Sequence, residues 1–246
     1  MVTRLSEDAW WIELGGVNAY LVDDEGALTL VDAGMPWHAS AVLDAVVEAG
    51  FALRDLDRVL VTHYDLDHVG GLARFDGLDL TIYAGRHDAP LVSGRESPPF
   101  SVPKGAFQRL VGPLVTPPAT EVVPLTDGDT VGSFTVYETP GHTPGHVAYV
   151  SEDLGIAALG DLVSESDGGL EPTAWFMTDD TAAARESVGR LADAAPAFDI
   201  AAVGHGVPFE RRGDDRLADL AERLGYTPTA PAESGGLVEN RPSDDR

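Results

Sequence analysis

The sequence contains no cysteine, which excludes disulfides, thiolate metal sites and cysteine nucleophiles together. Any metal ion must therefore be held by histidine, aspartate or glutamate. Long apolar runs are also missing, since none reaches the roughly 18 residues that a membrane-spanning helix needs. Residues 1–8 are acidic where a secretory signal would be basic and then apolar. We predict a cytoplasmic protein without a membrane partner.

Basic residues are scarce, with 16 against 41 acidic residues, a net charge of −25 and Lys104 as the only lysine. A surface this negative repels nucleic-acid phosphates and anionic lipids, so we predict no nucleic-acid partner. The lack of lysine favours a halophilic protein, because at molar salt the Debye length falls to roughly 3 Å and self-repulsion is screened. An ordinary acidic protein is the alternative. In a salty cell, net charge says less about partners.

Short β-rich runs alternate with helical patterns and predict a layered α/β fold. The predicted strands are 10–12, 18–22, 27–32, 58–62, 131–139, 146–151, 156–159 and 199–203. The predicted helices are 38–49, 179–194 and 214–224. Residues 1–226 should form one domain. The last stretch, 227–246, is rich in proline, glycine, serine and acid, and we predict a disordered acidic tail there.

The composition changes between residues 86 and 118, where seven prolines flank one short helical pattern at 105–111. We interpret this segment as an insertion laid over the scaffold. It is either a substrate lid, a structural linker or a homodimer contact. As a lid, it would use Phe100 and Phe107 to cover a bound acyl chain and exclude water.

A dense group of polar side chains follows one of the predicted strands. His63, Asp65 and Asp67 alternate, so in an extended segment they would point to one side. His68 follows immediately and can face a second direction where the chain bends into a glycine pair. One ion cannot easily use all four from so short a span, whereas two neighbouring ions can share them. The segment therefore predicts a site for two metal ions.

Three further ligand candidates lie next to glycine, each after a strand-like run: His142, Asp161 and His205. Taken singly, such a residue is usually a turn former or a helix cap. The combined set is more specific, because loops at the strand ends of layered α/β folds commonly carry the chemistry. The chain has seven histidines, and four of them belong to this set. We predict two divalent ions bound by these residues.

The ordered set resembles the metallo-β-lactamase superfamily, in its glyoxalase II-like hydrolase branch. Asp32-Ala33-Gly34 resembles the first motif of the family, and the segment from Thr62 to His68 resembles its T-H-x-H-x-D-H motif. The three downstream candidates match the remaining motifs in order and in approximate spacing. The resemblance spans roughly residues 9 to 210. It implies an αββα sandwich of two mixed sheets flanked by helices, with the site at one edge.

The resemblance also implies a role for each site residue. One ion would be held by His63, Asp65 and His142, the second by Asp67, His68 and His205, with Asp161 bridging both. Asp32 would support the site without binding metal, and His146 would supply a supporting hydrogen bond. His87 opens the insertion and could contact substrate, but we interpret it as an exposed loop residue.

Asp65 departs from the family pattern, which usually has histidine at this position. A carboxylate adds negative charge and hard oxygen character, which favours iron or manganese relative to zinc. We predict zinc first, with iron or manganese as alternatives. The change is similar to the flavodiiron branch, which has glutamate there. That branch carries an appended flavodoxin domain, for which this chain has no residues to spare.

The function implied by the resemblance is hydrolysis of a small carboxylic ester, thioester or lactone. A water held between the two ions would attack a polarised carbonyl carbon. Asp67 would be the catalytic residue that orients this water and passes its proton to the leaving group. Two alternatives stay open: a phosphodiesterase or nuclease of the same superfamily, and a di-iron redox or sensor protein.

Overall fold

The computed structural model describes residues 1–98, 105, 108–110 and 112–226. The predictions made for Phe100, Phe107 and the tail 227–246 concern residues outside these ranges. Within the ranges, no helix is long and apolar enough to cross a membrane.

Seven strands form the first sheet in simple chain order. Their bounds are β1 (Val2–Arg4), β2 (Ala9–Glu13), β3 (Asn18–Asp24), β4 (Ala27–Val31), β5 (Leu56–Val61), β6 (Thr81–Gly85) and β7 (Val122–Leu125). The strands β1 to β4 are antiparallel, and β4 to β7 are parallel. Parallel neighbours need crossover connections, and these carry helices α1 (Ala39–Glu48), α2 (Leu66–Val69) and α3 (Ala89–Val92). The predicted insertion 86–118 is the crossover between β6 and β7.

Five strands form the second sheet, in the order β14-β11-β10-β9-β8. Their bounds are β8 (Thr130–Val131), β9 (Phe134–Glu138), β10 (Val147–Ser151), β11 (Ile156–Gly160) and β14 (Ile200–Val203). A separate hairpin pairs β12 (Val163–Ser166) with β13 (Gly169–Pro172). Helices α4 (Thr181–Ala194) and α5 (Gly213–Arg223) complete this half of the described chain. The sheet is mixed, because β14 runs parallel to β11 while the other pairs are antiparallel.

Alternating side chains place each sheet between two apolar layers. In β10, Val147 and Tyr149 pack into the core between the two sheets. Their neighbours Ala148 and Val150 face the other way and pack against helix residues such as Leu217. A third core lies under α1 on the outer face of the first sheet. The layers form the predicted αββα sandwich, and that prediction is confirmed.

The strand predicted at 131–139 is wrong in one respect, since it consists of the two strands β8 and β9. Val131 pairs with Phe134 across a turn in which Gly132 has a φ of 60°. Glycine adopts this left-handed conformation without the clash of a Cβ atom. The alternation of apolar residues changes phase across Gly132-Ser133, from Val131 to Phe134 and Val136, and this break marks the reversal in the sequence.

Candidate metal centre

The predicted ligands follow strands of both sheets. Those that follow β5 of the first sheet are His63, Asp65, Asp67 and His68. Those that follow β9, β11 and β14 of the second sheet are His142, Asp161 and His205 respectively. The latter three strands run in one direction, because β9 and β11 are both antiparallel to β10 and β14 is parallel to β11. Their carboxyl ends therefore meet at the same edge.

The first group of ligand atoms comes from buried residues, namely His63, Asp65, His142 and Asp161, and these atoms lie within 4.8 Å of one another. The Nε2 atoms of His63 and His142 lie 3.2 and 3.1 Å from Oδ2 of Asp65. Asp65 has extended backbone angles, φ −120° and ψ 151°, immediately before α2. One carboxylate oxygen therefore faces two imidazole nitrogens.

The second group consists of Asp67, His68 and His205, whose ligand atoms also lie within 4.8 Å of one another. Helix α2 begins at Leu66, so Asp67 and His68 lie in its single turn. The expected alternation, which would have put Asp67 on one side with the two ligands before it, is wrong because the extended segment ends at Asp65. The helical turn instead sends Asp67 and His68 into the second group.

Asp161 joins the two groups. Its Oδ2 lies 3.4 Å from Nε2 of His142 and 3.1 Å from Nε2 of His205. Its Oδ1 lies 3.4 Å from Nε2 of His68. Gly204 leaves room for this carboxylate, because a Cβ atom at that position would lie 2.0 Å from Oδ1. A larger residue at 204 would displace Asp161.

Asp32 orients one histidine from each group without joining either. Its Oδ2 accepts hydrogen bonds from Nδ1 of His68 and from the hydroxyl of Thr62, both at 2.8 Å. That hydroxyl lies 3.0 Å from Nδ1 of His63 and, having donated its proton to Asp32, accepts the proton of His63. Both imidazoles therefore present Nε2 to the centre.

Two further contacts fix the ligands from the second sheet. Nδ1 of His205 donates to the carbonyl of Gly16 at 2.7 Å. The backbone N–H of Asp161 donates to Nε2 of His146 at 3.1 Å, so His146 carries its proton on Nδ1 and donates it to Oγ1 of Thr139 at 2.8 Å. His146 lies behind Asp161 and outside both groups.

The electrostatics of the centre depend on close pairing of charges. Burial, followed by the charge of His68, lowers the pKa of His63 to about 4. Burial also opposes protonation of His205, but hydrogen bonds to Asp161 and Asp67 raise its pKa to about 10. Burial raises the pKa of Asp161, yet the charge of His68 and the hydrogen bond from His205 outweigh it and hold that pKa well below its usual range. A metal ion must displace the proton of His205, so metal affinity falls as pH falls.

The donor set fits a metal ion. Nε2 of His68 and Oδ1 of Asp161 face each other at 3.4 Å, and among the described residues neither of these buried atoms forms a hydrogen bond. Leaving such atoms unsatisfied costs roughly 1–3 kcal/mol each. Imidazole nitrogens and carboxylate oxygens are suitable ligands for divalent zinc, iron and manganese.

Gln108 contacts the candidate ligand Asp65, which the sequence did not predict. It belongs to the predicted insertion, and its Nε2 donates to the carbonyl of Tyr64 at 2.6 Å and to Oδ1 of Asp65 at 2.7 Å. No spacing rule points to it, because 43 residues separate it from Asp65. The segment 86–118 thus reaches the centre through this side chain. His87, by contrast, is exposed, as predicted.

Comparisons with known proteins place the chain in a family. The model of the metallo-beta-lactamase superfamily matches residues 12–224. YobT of Bacillus subtilis (strain 168) is 32% identical over 225 residues, which cover 84% of this chain and 90% of YobT. A second protein of that strain, named Probable metallo-hydrolase YflN, is 27% identical over an alignment that covers 84% of this chain and 87% of YflN.

The same fold is present in a solved structure. The crystal structure of a metallo-beta-lactamase family protein from Thermus thermophilus matches with a TM-score of 0.65 and 24% identity, covering 90% of this chain and 81% of that one. The chain therefore belongs to the metallo-β-lactamase superfamily, as its motifs predicted. Its branch within the superfamily stays a prediction.

Proposed function

We propose that this protein is a hydrolase that binds two divalent metal ions and cleaves a carboxylic ester, thioester or lactone. The pair of ligand groups joined by Asp161 carries the proposal. Together the groups offer more ligands than the roughly four to six that one ion accepts. Membership of the superfamily and the similarity to YflN support a hydrolytic reaction.

The first ion is assigned to His63, Asp65 and His142, and the second to Asp67, His68 and His205. Asp161 contacts histidines of both groups and would hold both ions. Zinc is the first choice of metal because it accepts this mixture of nitrogen and oxygen ligands. Iron and manganese are alternatives, since the carboxylate of Asp65 makes the first group harder.

Two divalent ions held at this centre would lower the pKa of a bound water and polarise a substrate carbonyl. Asp67 is suited to accept the proton that this water releases. Its side chain is 19% exposed, compared with 2% for Asp161, so it faces the accessible side of the centre. The charge of His68 outweighs burial and lowers the pKa of Asp67, which keeps this carboxylate ionised and able to accept a proton. It can then donate that proton to the leaving group.

The proposal is tested by metal analysis and a hydrolysis screen on the same preparation. We expect about two ions per chain after reconstitution at molar salt with zinc, iron and manganese offered equally. We also expect turnover of at least one thioester, lactone or carboxylic ester. One ion per chain, or none, would contradict the assignment of two groups.

The alternatives appear as different outcomes of this experiment. Cleavage of phosphodiesters alone would make the protein a phosphodiesterase or nuclease, although its net charge of −25 disfavours a polyanionic substrate. Bound iron or flavin, visible in the absorption spectrum, together with no hydrolysis, would favour a redox or sensor protein.

Gln108 gives a prediction about the first ion. Replacing it with leucine removes two hydrogen bonds at nearly constant side-chain volume and frees Oδ1 of Asp65 to rotate. We expect metal affinity to fall by roughly 10-fold or more, since groups that orient ligands commonly contribute that much. Competition with a chromophoric chelator measures the change.

The control is Leu110→Gln, the reverse exchange two residues away at a side chain that is 78% exposed. It should leave metal affinity unchanged. If Gln108→Leu binds metal with wild-type affinity, the amide of Gln108 contacts Asp65 without contributing to metal binding.

A further inference from the structure

A short segment after β13 is fixed at both ends to backbone groups of two ligands. The hydroxyl of Thr173 donates to the carbonyl of Asp161 at 2.7 Å. At the other end, the N–H of Asp179 donates to the carbonyl of His142 at 3.3 Å. The residues between form a single helical turn, Trp175–Met177. The turn is therefore held beside the metal centre.

The turn exposes large apolar side chains. Trp175 is 77% exposed and Phe176 is 71% exposed, with their rings in edge-to-face contact at 5.9 Å. Neither ring belongs to any of the three apolar cores. Adjacent exposed aromatic residues on a rigid support commonly mark a binding surface, because covering them removes apolar area from water.

A cleft of about 280 Å³ lies against Trp175. Its lining includes Thr173 and, from α4, Ala184 and Arg185. Ala184 packs against Gly141, since a Cβ atom at Gly141 would lie 2.3 Å from the backbone nitrogen of Ala184. The cleft walls therefore touch the backbone beside two candidate ligands: Ala184 lies against Gly141, the residue before His142, and Thr173 binds the backbone carbonyl of Asp161. Its volume is close to the roughly 300 Å³ at which small-molecule pockets begin.

We infer that this cleft binds the apolar acyl part of the substrate, with Trp175 and Phe176 as its outer wall. The inference rests on the proposed hydrolase function and gives its substrate class: esters, thioesters or lactones with a long alkyl chain or an aromatic ring. A second protein is a poorer occupant. The two rings offer roughly 300–500 Å², whereas a stable interface buries about 800 Å² on each partner.

A series of p-nitrophenyl esters from acetate to decanoate tests the inference. In the wild-type protein, kcat/KM should rise with chain length. Trp175→Ala should lower kcat/KM for decanoate by at least about tenfold, because apolar contacts in a pocket discriminate by such factors. The loss should shrink as the acyl chain shortens, and metal content should not change. The control Val47→Ala, at a 58% exposed apolar residue on α1, should change none of these values.

Calorimetric binding of decanoate supplies a measurement that needs no turnover, and Trp175→Ala should weaken it at least about tenfold. If the wild-type protein hydrolyses none of the esters, thioesters and lactones of the screen, the proposed function fails, and decanoate binding still decides the role of the cleft. Equal loss for acetate and decanoate would overturn the inference. So would a shift from dimer to monomer in Trp175→Ala, which would assign the turn to a second copy of the chain.

Discussion

Replacing Asp161 with alanine is expected to disperse both metal ions and to lower kcat by at least about 1,000-fold. Asp161 contacts histidines of both groups and is 2% exposed, so water cannot easily take its place. Losing the polarising metal centre removes several kcal/mol of transition-state stabilisation, and roughly 4 kcal/mol corresponds to about three powers of ten in rate. Metal analysis and single-turnover kinetics measure the two losses.

His146→Ala is the informative comparison. The ring of His146 accepts from the backbone N–H of Asp161, donates to the hydroxyl of Thr139 and belongs to neither ligand group, so its loss should reduce activity by roughly 10–100-fold while the ions remain bound. Asp153→Ala, at an exposed aspartate between β10 and β11, controls for loss of charge. Equal losses in Asp161→Ala and His146→Ala, with both variants folded, would show that the ligand and the supporting residue are misassigned.

Asp32→Asn is expected to weaken both metal groups and the fold together. Asp32 accepts from the backbone and hydroxyl of Thr62 and from Nδ1 of His68. An asparagine has one acceptor oxygen, and its amide would face at least one of these buried donors. We expect metal affinity to fall roughly 10–100-fold and stability to fall by roughly 1–3 kcal/mol.

Two measurements separate these effects. Thermal melting in excess chelator reports the stability change, which corresponds to about 2–4 °C per kcal/mol for a protein of this size. Chelator competition reports the metal affinity. Asp44→Asn, an isosteric change on the exposed face of α1, should alter neither. A lowered melting temperature with wild-type affinity would limit Asp32 to a structural role.

The sequence predicts which residues are candidate ligands better than it predicts the contacts that group and orient them. The apolar run that becomes β5 ends directly before His63, and the glycines beside His142, Asp161 and His205 mark the other loops. These local signals fix which residues reach the edge. The resemblance implied the division into two groups, but the residues alone did not, because the division depends on where α2 starts and a four-residue helix has too little periodicity to be recognised.

The contacts that orient the ligands could not be predicted because they join distant parts of the chain. Thr62 meets Asp32 across 30 residues, and Gln108 meets Asp65 across 43. Neither pair has a spacing rule, since parallel strands and their crossovers bring them together. The exposure of Trp175 could not be predicted for another reason. An aromatic residue in a loop can be buried in the core as readily as exposed on the surface.

The candidate ligands come from both sheets, so bound metal ions would also connect the two halves of the fold. The chain has no cysteine and hence no disulfide, and two metal ions that share Asp161 would cross-link residues of both sheets, from His63 to His205, and so close a loop of most of the domain. At a free metal concentration 100-fold above Kd, each independent site would contribute about 2.7 kcal/mol against unfolding. Metal supply would then govern how long the protein survives as well as whether it turns over substrate, because a chelated chain would lose this cross-link.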